Sequence, residues 1–293
     1  MLAYNPKEWF SIIFRMHKAD TVRKLSPLIL FVAAYSAVIA FIEIEFLNLS
    51  GHNWLKNIPM MHNLLGFAIS MLLVFRTNTA YDRWWEGRKL WGQLVNNSRN
   101  LAIKINTMLD AGEVADRAFF RRTIPLYARV LKAHLQSDVT RFALDEVEHP
   151  ELAELAKEQH VPNHVAMLIL GKANDLYKAG KITGDQYIII NAELQSFTDI
   201  CGACERIKNT PIPYSYSAFI KKFIFIYVIT LPVGYVFSLG YLVIPVVTFI
   251  FYVLASLELV AEEIEDPFGV DSNDLPMEKI SENINKHIGE ILQ

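Results

Sequence analysis

The apolar positions of this chain fall in blocks. Three stretches contain no Asp, Glu, Lys or Arg: Leu25 to Ile42, Asn57 to Phe75 and Phe223 to Leu257, of 18, 19 and 35 residues. A bilayer core of about 30 Å takes about 20 helical residues. The first two stretches each predict one span, the first lengthened by its flank. The third would make a helix of roughly 52 Å, too long for one crossing. It contains Gly234, Ser238, Gly240 and Pro245, so a tight turn near Leu239–Tyr241 divides it in two. The pattern predicts four transmembrane helices, at about 25–46, 57–75, 223–239 and 241–257. Buried helices of a soluble protein are the competing explanation, but uncharged runs this long are rare in soluble cores.

Between the blocks the pattern changes. Residues 76–222 are polar and rich in helix formers, with amphipathic stretches near 85–110, 116–139, 163–180 and 185–208. Asp145–Pro150 and Val161–Pro162 read as breaks between helices. Period-two alternation is not sustained, apart from the short apolar run Tyr187–Ile190, and no internal repeat or low-complexity segment occurs. The expected product is an all-α membrane protein, one domain over 1–293, whose spans continue into a helical cytosolic part (76–222) and a tail (258–293).

Composition supports this class. Of 293 residues, 52% are apolar and 20% charged, and the mean hydropathy is +0.22. That excludes a disordered chain, a coiled-coil rod and a disulfide-stapled secreted domain. A net charge of −3 gives no sign of a nucleic-acid partner. Lys7, Arg15, Lys18, Arg23 and Lys24 precede the first span, and only Lys56 lies between the first two. Arg76, Arg83, Arg88 and Lys89 follow the second span; Arg206, Lys208, Lys221 and Lys222 precede the third. This bias puts both termini in the cytoplasm, with Trp54 and Tyr241 at the outer interface. The first 24 residues also carry Glu8 and Asp20 and lack a small-residue cleavage site, unlike a signal peptide.

Enzyme motifs are missing: no dinucleotide fingerprint, phosphate loop, H-E-x-x-H or nucleophile elbow occurs. Cys201 and Cys204 form a C-x-x-C pair, but a structural zinc site takes four ligands and no second pair stands nearby. The pair reads as small residues that let helices pack closely. His62, inside the second span, is either a satisfied histidine near the interface or a proton or ion site. Glu43 and Glu45, at the outer end of the first span, form either an external acidic ring or a solvated end.

Phe67, Met71 and Phe75 recur every four residues. Each step turns a helix about 40°, so the three share one stripe of roughly 100°. In a monomer that stripe is core or lipid contact. In a symmetric oligomer it could ring an axis as a hydrophobic constriction, which gates by dewetting.

Three ordered motifs resemble the bestrophin family, and its bacterial members above all: FRTNTAYDRWWEGRKLWGQL after the second span, CERIKNTPIPYSY before the third and DPFGVDSNDLP after the fourth. The resemblance covers nearly the whole chain. It implies a homopentameric channel with a single axial pore in the bacterial inner membrane, passing small monovalent ions. These are chloride by family resemblance, or sodium and potassium as in some bacterial members. Phe67, Met71 and Phe75 match the family's neck positions, with Met71 departing from the usual Phe or Ile. The cytosolic aperture falls among Ile207, Thr210 and Ile212. Asp271 and Asp274 match two carboxylates of the eukaryotic calcium clasp, with Asp266 and Glu263 beside it. Val270, Ser272 and Asn273 dilute that acidic run, and calcium wants six to eight oxygens. No cofactor is therefore expected. A secondary transporter and a membrane-anchored scaffold are the competing functions; a transporter would be expected to carry charge at the membrane midplane.

Overall fold

The computed structural model describes residues 21–47, 58–136 and 160–293. Lys7, Arg15, Lys18, Trp54, Lys56 and the Asp145–Pro150 break lie outside them. The described helices are α1 (Thr21–Phe41), α2 (Ile58–Met108), α3 (Val114–Gln136), α4 (Val161–Lys178), α5 (Gly184–Asn209), α6 (Tyr214–Leu239), α7 (Val243–Glu265) and α8 (Met277–Ile291), and among the described residues no strand occurs. The chain divides into two compact units, 1–83 with 211–265 and 84–210 with 266–293.

The first unit is the apolar one. Three helical stretches, Thr21–Leu47, Ile58–Met108 and Tyr214–Glu265, are long and apolar enough to cross a membrane. The last is a hairpin. Gly240 breaks it with φ +53°, a backbone conformation that glycine adopts without strain. The Lys221 ammonium, near the start of α6, bonds both Glu262 oxygens near the end of α7 at 2.9 Å, so the two helices run antiparallel. α1 runs antiparallel to α7 as well: Ser256 bonds Thr21 at 3.0 Å and Lys24 bonds Glu263 at 2.5 Å. At the opposite end α1 passes into a π-helical turn, Ile42–Leu47, where Glu45 accepts from the Tyr241 hydroxyl at 3.1 Å. Ile69, Leu73, Ile220, Val228, Val243 and Val247 belong to the core between these helices.

The second unit packs α4, α5 and α8 around α3. The break expected at Val161–Pro162 is a helix start: His160 caps α4, and proline occupies the first turn, where its missing N–H costs nothing. Gly180, at φ +69°, ends α4. Thr183 and Gln186 then bond each other's backbone to open α5 as a capping box. Tyr187–Ile190 is helical, because the 3.6-residue apolar period of α5 runs through it. The core includes Trp91, Leu94, Phe120, Ile124 and Phe197, with the buried Tyr127 hydroxyl donating to the Phe197 carbonyl at 2.8 Å. In the expected tail, Met277, Ser281, Ile284 and Ile288 form one face of α8, buried against α3.

Candidate functional site

α2 carries the predicted stripe. On this helix His62, Ile69, Leu73, Arg76 and Ala80 are buried in the unit. At about 100° per residue they share one line. Phe67, Met71 and Phe75 lie almost diametrically opposite and keep 68%, 44% and 57% of their surface exposed. The stripe therefore lies outside the buried core of its own unit.

His62 is satisfied. One ring nitrogen pairs with the Ile58 carbonyl at 3.0 Å and the other with the Thr230 hydroxyl at 3.0 Å. Its ring also packs near Tyr227 and Tyr235. Helices α2 and α6 approach closely here. A Cβ on Gly66 would stand 2.8 Å from the Tyr227 hydroxyl, and one on Gly234 would stand 2.7 Å from Ile58 Cγ2. Glu43 is buried rather than solvated.

Immediately after Phe75 comes Arg76, fully buried. Its Nη2 pairs with Glu265 at 2.6 Å, and its Nε lies 3.6 Å from buried Glu258. The other Glu265 carboxylate oxygen accepts from the Ile212 N–H at 2.7 Å, and the Glu265 carbonyl accepts from Arg83 Nε at 3.0 Å. A charge buried in an apolar unit needs such partners. The network fastens α2 just past the stripe to the end of α7 and to the backbone before α6. Sequence reasoning missed it because partners 182 and 189 positions from Arg76 look like ordinary charges flanking a span. Of the three aperture candidates, Ile207 is buried in the core of the second unit, Thr210 is exposed and Ile212 is half-buried.

The acidic element 266–275 is a tightly bonded loop. Asp266 accepts from the Phe268 N–H at 3.2 Å, and buried Asp274 accepts from the Asp271 N–H at 2.5 Å. The Leu275 N–H donates to the Pro267 carbonyl at 3.0 Å, and the Trp84 indole to the Asn273 carbonyl at 3.1 Å. Asp274 is thus engaged in holding the loop, while Asp271 is exposed. Glu263 and Lys24 pair in the first unit.

Among the described residues, a group of ligating side chains does gather in the second unit: His134 near the end of α3, His160 capping α4, and Cys201 and Glu205 on α5. Their donor atoms all lie within 4.8 Å of one another. Glu205 Oε1 meets Nε2 of His134 at 2.5 Å and of His160 at 2.7 Å, and the two rings stand 4.5 Å apart. Burial works to raise the Glu205 carboxyl, but the His160 and His134 bonds outweigh it and hold it below its ordinary range. Burial, and then the Glu205 charge, push the Cys201 thiol up to about 12. Cys204 is buried in the core, as a small packing residue would be. The sequence carried no local signal for this gathering, because the histidines beside Cys201 are 67 and 41 positions away.

Comparison with known proteins follows the same lines. The family model described as bacterial/fungal bestrophin protein matches residues 1–290. A voltage-dependent anion channel-forming protein of Nostoc sp. is 31% identical, over 97% of this chain and 92% of its own length. A protein of the same description from Escherichia coli K12 is 30% identical, over 96% of this chain and 90% of its own. Among solved structures, a bacterial bestrophin homologue from Klebsiella pneumoniae superposes with a TM-score of 0.78 at 27% identity, covering 90% of this chain and 97% of that one.

Proposed function

We propose that this chain, which belongs to the bacterial and fungal bestrophin family, is an ion channel in which five copies surround one axial pore. The observation that carries the reading is the stripe of Phe67, Met71 and Phe75, exposed and opposite the packed face of α2. Five such stripes turned toward an axis form a neck of apolar rings, which passes ions only while wide enough to stay wet. Phenyl edges are electropositive, so tilted Phe67 and Phe75 rings can present a favourable surface to an anion. The names of the Nostoc and Escherichia relatives lean the same way, toward anions. Thr210 and Ile212 are the better aperture residues, because Ile207 is used up in packing.

Four spans fit the geometry: α1, the first part of α2, α6 and α7. Lys24, Arg76 and Lys221 pair at one end of the apolar unit, while Glu45 and Tyr241 meet at the other. The positive-inside bias turns the first end to the cytoplasm of a bacterial inner membrane, with both termini on that side. The whole chain works as one domain, and the reading requires no metal or cofactor for conduction.

The test is the reversal potential of the purified pentamer in a planar bilayer under a potassium chloride gradient. A value near the chloride potential is expected. A value near the potassium potential would make the pore a cation channel. The triple change Phe67→Ala, Met71→Ala and Phe75→Ala should raise the current. Silence from both proteins, each intact as a pentamer, would leave a transporter or a scaffold.

A further inference from the structure

The second unit holds a cluster that conduction does not use. We propose that His134, His160, Cys201 and Glu205 form a binding site for one zinc-class transition-metal dication per subunit. The donor set is the argument. Imidazole, thiolate and carboxylate are the three side-chain ligand types of protein zinc, and four of them make a closed tetrahedral site. Here two imidazoles, a thiol and a carboxylate converge from three helices, with all donor atoms within 4.8 Å. Surface ion pairs seldom recruit a buried thiol; this cluster has one.

The arrangement needs small movements to accept the ion. Bonds of about 2.0 Å at tetrahedral angles set ligand atoms about 3.3 Å apart. The Glu205 oxygen now sits 2.5 and 2.7 Å from the two imidazole nitrogens, so it must draw back, and the sulfur must close in. The ion replaces the protons that the Glu205 carboxylate and the imidazoles share, and takes the Cys201 thiol as thiolate, its proton leaving to solvent. His134 Nδ1 makes no hydrogen bond among the described residues, so ligation through Nε2 disturbs nothing there. His160 gives up more. Its Nδ1 accepts from the Asn163 N–H at 3.2 Å, and ligation through Nε2 would move the ring proton onto that nitrogen. One cap bond is small against a metal–ligand bond. His160 and Glu205 are partly exposed, which gives the ion a way in. Once bound, it would tie the end of α3 to the start of α4 and the last turns of α5.

The experiment uses the full-length, tag-free protein in detergent, stripped with a chelator and titrated with cobalt(II). One cobalt per subunit is expected, with the visible bands of a four-coordinate site and a near-ultraviolet thiolate-to-cobalt band. One equivalent of zinc should bleach both. The chain has two cysteines, so the thiolate can be assigned. Cys204→Ala should keep the band, Cys201→Ser should lose it, and Glu205→Gln should weaken binding by about tenfold or more. A wild-type protein that shows no thiolate band overturns the proposal without any variant. So does a band that survives Cys201→Ser or disappears in Cys204→Ala.

Discussion

Asp116 shows how a single side chain in this protein sets a response to pH. It sits in the first turn of α3, where the helix dipole favours a carboxylate. Lys172 and Lys181 each approach it to 2.6 Å. Burial alone would raise its pKa, but the two lysines outweigh burial and hold it down at about 2. A carboxylate with a depressed folded pKa stabilises the fold above its unfolded value, near 4, and loses that contribution as pH falls through about 2. Asp116→Asn should therefore cost about 2 kcal/mol near neutral pH and flatten the acid limb of the thermal-stability curve between about pH 4 and pH 2. An unchanged acid limb would mean that the lysines do not hold this carboxylate. Asp271 is a contrast, exposed on its loop. Asp271→Asn should leave ion flux unchanged with or without added calcium, and a lost calcium response would restore the clasp. The sequence reading singled out Asp271 and passed over Asp116. Lysines 56 and 65 positions away from Asp116 carry no local signal.

At the scale of elements, a glycine on one apolar helix makes room for a large side chain of its neighbour. Gly66 and Gly234 let α2 and α6 touch. Gly234→Val would drive a branched side chain into Ile58 and cost about 1–3 kcal/mol, seen as a lower melting temperature. Arg76→Met would leave buried Glu258 without its cation and Glu265 with the Ile212 N–H alone, at a cost of about 3–5 kcal/mol. A neutral outcome for Arg76→Met would show that water already reaches the network. The elements themselves were largely readable. The expected apolar and amphipathic stretches all fall on helices, because hydrophobic period and length are local properties, but the bounds of the apolar ones were too short: 57–75 and 85–110 are one helix, Ile58–Met108, and the stretches expected at 223–239 and 241–257 extend to Tyr214 and Glu265. The amphipathic period of Met277, Ser281, Ile284 and Ile288 was equally local, but it was hidden by treating the residues after the last span as a tail. The crossing of α2 with α6 was not readable, since a glycine signals permission to approach and not the partner.

For the whole molecule, the proposed neck exists only if copies assemble. A lone protomer presents Phe67, Met71 and Phe75 as an exposed apolar strip, and the proposed ring takes five of them. Conduction should therefore disappear under detergent conditions that dissociate the oligomer while leaving helical content intact, a comparison that circular dichroism and bilayer recording make together. The strip was legible from spacing alone, and its motif neighbours pointed to a family. Its direction was not, because only the packed face of α2 reveals which side is left over. That division has a consequence for how such a protein can change over time. Positions that hold the protomer together and the positions proposed to meet the ion occupy opposite faces of one helix. On that proposal, replacing a stripe residue disturbs little of the buried core, so permeability can be retuned in single steps without first acquiring a compensating substitution. The proposed lining is then free to drift, while the face behind it stays under constraint.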